Sequence, residues 1–360
     1  MNLVFLSSST GWGGLEQNLL RYSNWMREAG NAVTILAVAQ SPLYKQAVAF
    51  DLPVVAIKRQ KRHFPWRAAY CLKKLLKSLD TDFVWMRDPR DLPLAAFAVY
   101  NMKCRLIFQQ GMQINQPKKY PWHRWRFAQI EQWVTPLAIL EKEALKNTPL
   151  TARQITRIPL ALEPDWFSRS ISKNEARNEC AVPLDALVVG LFGRLDPLKG
   201  QDVLLKALVD ATEWHALIVG SNTANVENDW KKKLLDQAKQ LGVDHRVHWR
   251  EQMNSLQNAY AACDVYAMCS QSETFGMVTL EALASGIPVI GTNSGGTPEL
   301  LQEGACGHLV PPGDAHALAE ALNQHKKIPI PSVQSLISFQ KKSSVESWLK
   351  LLDAPPRRAS

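Results

Sequence analysis

The chain has 360 residues, 46% of them hydrophobic and 21% charged, with 18 Gly and 21 Pro. That length implies two domains of roughly 150–200 residues, and the balance excludes collagenous, disordered and mucin-like chains. The net charge of +9 is unevenly placed, with 26 Lys and Arg against 14 Asp and Glu in residues 1–180 and 16 against 19 in 181–360, so a polyanion or anionic surface is expected to face the first half only.

The opening MNLVFLSSSTGWGGLE passes from an apolar run into glycines with no basic segment before it, so it reads as a first β-strand and not a leader. No stretch reaches the roughly eighteen apolar residues that a membrane span needs, and the expected location is the cytoplasm. Apolar or β-branched runs at 2–6, 33–38, 54–57, 83–86 and 105–108 predict strands, with helices over 15–29, 66–79 and 91–100. The alternation predicts a parallel sheet of βαβ units. It restarts with strands at 187–193, 216–220, 246–249, 264–268 and 288–291 and helices at 200–212, 228–241, 254–262, 277–285 and 314–324, a second doubly wound unit. Pro159, Pro164 and Pro183 bracket a polar stretch that reads as a linker. The six cysteines are scattered without a CxxC pair, which points to reduced, mostly buried thiols and away from a disulfide framework or a structural zinc site.

Two such units facing each other form a cleft at the carboxyl ends of their strands, where open α/β folds bind ligands, and the motifs fall there. Gly11-Trp12-Gly13-Gly14-Leu15-Glu16 lies between the first strand and its helix, where glycines admit a ligand to the backbone and a helix N-terminus offers amides to an anion. It is not GxGxxG, so a nicotinamide-binding fingerprint is absent there. Arg194 and Lys199 in GRLDPLKGQ follow the first strand of the second unit and can converge on a diphosphate. In SETFGMVTLE, Glu273 precedes a helix that begins near Gly276, and Glu281 lies on that helix, so the two carboxylates can address different parts of one extended ligand. Amides of Gly276, Met277 and Val278 then point at a phosphate.

With ASGIPVI, the Gly295-Gly296-Thr297-Pro298-Glu299 turn and GHLVPPGD, these motifs resemble the retaining glycosyltransferases of family 4, which have the GT-B fold. The resemblance implies an α/β protein of two Rossmann-like doubly wound domains facing across a cleft. It implies a sugar moved from a nucleotide-diphosphate sugar to a glycan or lipid-linked acceptor with retention, in cell-surface polysaccharide or lipopolysaccharide biosynthesis. On it, Arg194 and Lys199 bind the donor diphosphate, Glu273 the donor sugar and Glu281 the ribose. Phe275, Gly276, Met277 and Val278 adjoin sugar and phosphate, and Gly13 and Gly14 line the cleft. The expected division is an acceptor-side domain over 1–165, a linker over 166–184, a nucleotide-sugar domain over 185–335, a helix over 336–353 packing back toward the first domain, and a disordered tail over 354–360. No cofactor is expected, the nucleotide sugar being a co-substrate. The lack of a DxD pair agrees with metal-independent neutralisation by Arg194 and Lys199.

Two features depart from the family. Many members place a histidine after a strand such as 105–108, where this chain has Gln109 and Gln110, and the usual Asn-Gly before the linker is Pro159-Leu160-Ala161-Leu162. Glu16, Arg87, Asp88, Gln109, Gln110 and His123 are the candidates for sugar or acceptor contacts. An internal ion pair explains Arg87 and Asp88 equally well, and His123 sits in an amphipathic surface segment. A nucleotide-sugar epimerase or a sugar phosphorylase on the same fold is the rival enzyme reading. A basic nucleic-acid-binding protein is the rival of another class, although it has no use for Arg194, Lys199, Glu273 and Glu281, and nucleic acid is not the expected partner. The acid-free runs 58–79 and 103–126 mix Lys and Arg with Trp66, Tyr70, Tyr120, Trp122 and Trp125, so the first domain is expected to dock peripherally on the anionic inner face of the cytoplasmic membrane.

Overall fold

A computed structural model describes residues 1–59, 66–168, 171–222, 230–251, 253 and 255–356. Lys61 and Arg62 of the first basic run, residues 228–229 and 254 of two expected helices, and 357–360 of the expected tail lie outside the described residues. The chain divides into two compact units, residues 1–159 with 341–360, and residues 160–340.

The first unit alternates β1 (Asn2–Ser7), α1 (Gly14–Glu28), β2 (Ala32–Val38), α2 (Pro42–Ala49), β3 (Val54–Ile57), α3 (Trp66–Ser78), β4 (Phe83–Met86), α4 (Leu92–Val99), β5 (Arg105–Gln109), α5 (Pro121–Ala128), β6 (Ile130–Thr135), α6 (Ala138–Asn147) and β7 (Ile155–Arg157). Its seven strands are parallel, in the order β3-β2-β1-β4-β5-β6-β7. Both faces are covered, as parallel sheets require. Val4, Leu6, Val84 and Met86 pack with Leu72 and Leu76 of α3 and Ala95 and Ala98 of α4, while Phe5 and Trp85 stack on the opposite face at 4.9 Å.

The second unit contains α7 (Lys173–Cys180), β8 (Leu187–Phe192), α8 (Gln201–Asp210), β9 (Trp214–Val219), α9 (Trp230–Gln240), β10 (Val247–Arg250), α10 (Leu256–Ala262), β11 (Val265–Met268), α11 (Met277–Ala284), β12 (Val289–Thr292), α12 (Thr297–Leu300), β13 (His308–Val310) and α13 (Ala315–Asn323). Its six parallel strands run β10-β9-β8-β11-β12-β13. The expected fold class is thus present: two parallel-sheet, Rossmann-like α/β units. The C-terminal α14 (Lys341–Asp353) belongs to the first unit, where Trp348 is fully buried against Trp85.

The expected linker over 166–184 is corrected by the structure. Its polar centre is the wet face of α7, which inserts Ala176 and Cys180 into the second core. Arg177 fixes the helix there, donating to Asp264 at 2.8 Å and to the Ala262 carbonyl at 3.2 Å. The tail expected from 354 onward is tied at its start, since Arg105 donates to the Ala354 carbonyl at 2.9 Å. All six cysteines are free, and Cys71 alone is exposed.

Candidate active site

In each sheet the chain order reverses between two central strands, β1 and β4 in the first unit and β8 and β11 in the second. Crevices at such switch points lie beyond the carboxyl ends of the strands and take ligands. The loops leaving β8 and β11 carry Lys199 and Glu273, and the structure brings them together, Lys199 Nζ lying 2.7 Å from Glu273 Oε2.

Lys199 ends a single 3₁₀ turn, Pro197–Lys199, whose start is capped by Asp196 accepting from the Leu198 N–H at 3.0 Å. The Gln271 N–H donates to the Leu198 carbonyl at 3.0 Å, tying this turn to the loop after β11, and buried Gln201 donates from Nε2 to the Arg194 carbonyl at 3.0 Å. Arg194 itself is half exposed and lies 3.1 Å from Asp196. The sequence expectation placed Arg194 and Lys199 on one ligand. In the structure their charges are held by two different carboxylates, Asp196 and Glu273.

Glu273 is set from below by the glycine turn before α12. Its carbonyl accepts from the Gly296 N–H at 2.8 Å, and Gly295, at φ +60, passes so close that a Cβ would lie 2.2 Å from that oxygen. Gly276 caps α11 at φ +88, a left-handed conformation that favours glycine. The first donors into the helix are Thr279 and Leu280, both to the Gly276 carbonyl, so the Gly276, Met277 and Val278 amides precede the intrahelical ladder. Phe275 is buried, 6.3 Å from Phe339. Glu281 lies on the second turn of α11, also buried, and accepts from the Tyr260 hydroxyl at 3.1 Å. Burial, and then the Glu281 charge, hold the Tyr260 phenol well above its ordinary range, so it stays a donor. Tyr260 and Asp196 were not singled out from sequence. Asp196 was legible as a cap directly before proline, whereas nothing local announces Tyr260.

The first-unit candidates separate. Gly13, in extended conformation, precedes α1, and its N–H donates to Glu16 Oε2 at 2.9 Å, so Glu16 serves the start of its own helix. A Cβ on Gly14 would meet nothing within 4 Å, and one on Gly13 would meet only that carboxylate at 3.6 Å. The ion pair considered for Arg87 and Asp88 is not formed: Asp88 is gripped by Arg90 at 2.5 Å, while Arg87 donates to Gln109 Oε1 at 3.1 Å. Arg87 is only 2% exposed, and desolvation brings its guanidinium down to about 10. Gln109 also accepts from Trp85 Nε1 at 3.1 Å, and Gln110 accepts from Trp133 Nε1 at 2.8 Å, so both buried amides are engaged by tryptophans. At the same switch point Ser8 donates its amide to Asp91 at 3.0 Å, and burial raises that carboxyl to about 6. His123 lines a cavity in this unit. Among the described residues there is no cluster of three or more His, Cys, Asp or Glu able to hold a metal, and no helix is long and apolar enough to cross a membrane.

Residues 172–342 match the family model described as "Glycosyl transferases group 1". A D-inositol 3-phosphate glycosyltransferase of Saccharomonospora viridis is 32% identical over 195 residues, 51% of this chain and 44% of that protein, so the chain spans less than half the length of this curated relative. Anabaena Alr3699/HepE, solved in complex with UDP, superposes with a TM-score of 0.86 at 22% identity over 98% of this chain and 99% of its own. WaaG, a glycosyltransferase involved in lipopolysaccharide biosynthesis, superposes with a TM-score of 0.71 at 16% identity, covering 99% of this chain and 100% of its own. The chain thus carries the group 1 glycosyl transferase pattern over 172–342 and shares its fold with the two solved structures.

Proposed function

We propose that the protein transfers a sugar from a nucleoside diphosphate sugar to a glycan or lipid-linked acceptor with retention at the anomeric carbon, without a metal ion. The observation that supports this most is the convergence of Lys199, Glu273 and the amide end of α11 at the β8/β11 switch point. Departure of a nucleoside diphosphate concentrates negative charge on the β-phosphate, and fixed cations and amides stabilise that charge more in the transition state than before it. Lys199 supplies a cation held in place by Glu273, and Arg194 a planar group with enough exposure to swing onto the diphosphate. Glu273 accepts from donor-sugar hydroxyls and Glu281, steadied by Tyr260, from the ribose. The group 1 match over this unit favours transfer over epimerisation or phosphorolysis; retention rests on the family resemblance.

Gly14 has open space where a side chain would stand, and at Gly13 only the Glu16 carboxylate comes near, which suits a ligand approaching the α1 backbone. A second part of the proposal is reversible docking of the first unit on the inner face of an anionic membrane, serving a lipopolysaccharide or other cell-surface glycan precursor. Trp66, Phe97, Trp122 and Trp125 form one aromatic cluster, with Trp66–Phe97 at 4.3 Å and Phe97–Trp125 at 4.4 Å. Trp66 and Trp122 are 58% and 42% exposed, and the helices that carry them, α3 and α5, also carry Arg67, Lys73, Lys74, Lys77, Arg124 and Arg126. Such mixtures seat at the headgroup level. The decisive measurement of the transfer reaction is nucleoside diphosphate release from a panel of nucleotide sugars in EDTA, with the anomeric configuration of the product read by NMR. An inverted product, or release only with added Mg²⁺, removes the corresponding half of the proposal.

A further inference from the structure

The first unit holds a half-open cavity of about 820 Å³ between the start of α4, the ends of β5 and β6, the loop 110–120 and α5. Its floor is aromatic: Phe108 stacks on Trp133 at 4.1 Å, and Phe127 lies 5.6 Å from the same ring. The loop wall is fastened to α6, the Ile114 N–H donating to Glu143 at 2.9 Å and the Lys118 N–H to the Asn147 carbonyl at 2.6 Å. Cations line the cavity and no acidic residue does. Of these cations Arg90 is already neutralised by Asp88. Lys118 and Arg126 have no carboxylate within 4 Å among the described residues, and Arg126 Nε is buried without a hydrogen-bond partner. Arg126 otherwise meets the His123 ring, whose pKa is lowered by burial and by Arg126 and Lys118, so His123 adds no charge near neutrality.

Arg126 is half-buried, its Nε–H is buried without a partner and no carboxylate neutralises its charge, so an anion that supplies that missing acceptor is favoured. We propose that the cavity is an acceptor subsite for a phosphate-bearing amphiphile, the phosphate seated between Arg126 and Lys118 and the adjoining apolar part on the Phe108–Trp133 floor. Calling the ligand an acceptor rests on the glycosyl-transfer reading above; the binding chemistry does not. The source is a membrane lipid, not a free polyol phosphate, because Trp122 lines this cavity and also belongs to the exposed aromatic cluster.

Calorimetric titration of the full chain tests this with dihexanoyl phosphatidic acid below its micellar concentration, against glycerol 3-phosphate and dihexanoyl phosphatidylcholine. Phosphatidic acid is expected to bind at least tenfold more tightly than either. Arg126→Gln, Lys118→Gln and Met112→Glu should each weaken it at least fivefold; Met112 is half exposed on the cavity wall, so that variant disturbs no core. Equal affinity for glycerol 3-phosphate, or unchanged affinity in all three variants, overturns the inference. UDP, GDP and ADP are titrated in parallel: binding of any of them without phosphatidic acid binding sinks the subsite alone, and phosphatidic acid binding with none of the three sinks the donor reading while leaving the subsite standing.

Discussion

Lys199→Ala separates catalysis from stability by magnitudes that differ severalfold. The Lys199 and Glu273 side chains are 28% and 18% exposed, so their 2.7 Å pair is partly in solvent and its net contribution to folding is about 0.2–1 kcal/mol. If Lys199 instead stabilises charge on a departing diphosphate, its loss removes a preorganised transition-state donor, about a hundredfold or more in kcat and roughly 3–4 kcal/mol. The variant should therefore unfold in urea close to the parent and yet release nucleoside diphosphate from UDP-glucose, or whichever donor the parent accepts, at least a hundredfold more slowly at saturation. Arg194→Ala should behave similarly, since its partner Asp196 is also reached at the surface. A Lys199→Ala enzyme within threefold of the parent, or a loss that merely tracks the unfolded fraction, would refute the assignment. Activity in the double variant that EDTA abolishes would refute it as well, by passing the charge to a metal.

Glu281→Ala should weaken binding of the free nucleoside diphosphate about tenfold, the scale of one charge-assisted hydrogen bond, while Glu273→Ala spares that binding and lowers turnover; identical affinities in the two variants would contradict the division. Asp91, raised from 3.8 to about 6, binds its proton more tightly folded than unfolded, so its contribution to stability is greatest below pH 4 and is lost as pH rises through 6, a change of about 3 kcal/mol. Urea midpoints measured from pH 4 to 7 should show that fall, and Asp91→Asn should flatten it; a parallel profile in the variant would show that another group carries the dependence. Co-sedimentation should require anionic vesicles, decline as salt shortens the Debye length to about 8 Å, and weaken in a triple Lys73→Glu, Lys74→Glu, Lys77→Glu chain. Equal partitioning onto neutral vesicles, or none onto either, would favour a soluble acceptor.

The fold was legible where strands are long and apolar, because a parallel sheet buried on both faces demands continuous apolar runs. β6 escaped for the converse reason. Its sequence, IEQWVT, reads as mixed, yet all six residues are buried: Glu131 is met by Arg105 at 3.5 Å, and Gln132 accepts from Thr156 at 3.2 Å. Partners distant in sequence make those polar groups tolerable inside, and no local pattern records them. The same limit divides the candidate site. Lys199, Glu273 and Gly276 stand in one loop cluster that each motif announces by its own chemistry, whereas the Tyr260 hydroxyl reaches Glu281 from a different helix. His123 is the sharpest case, because the tryptophans beside it do mark a surface, while its place on a cavity wall depends on the loop 110–120 folding back onto α6. Periodicity thus finds which face of a helix is wet, and only the tertiary bonds of its neighbours decide whether that face looks onto bulk water or into a cavity.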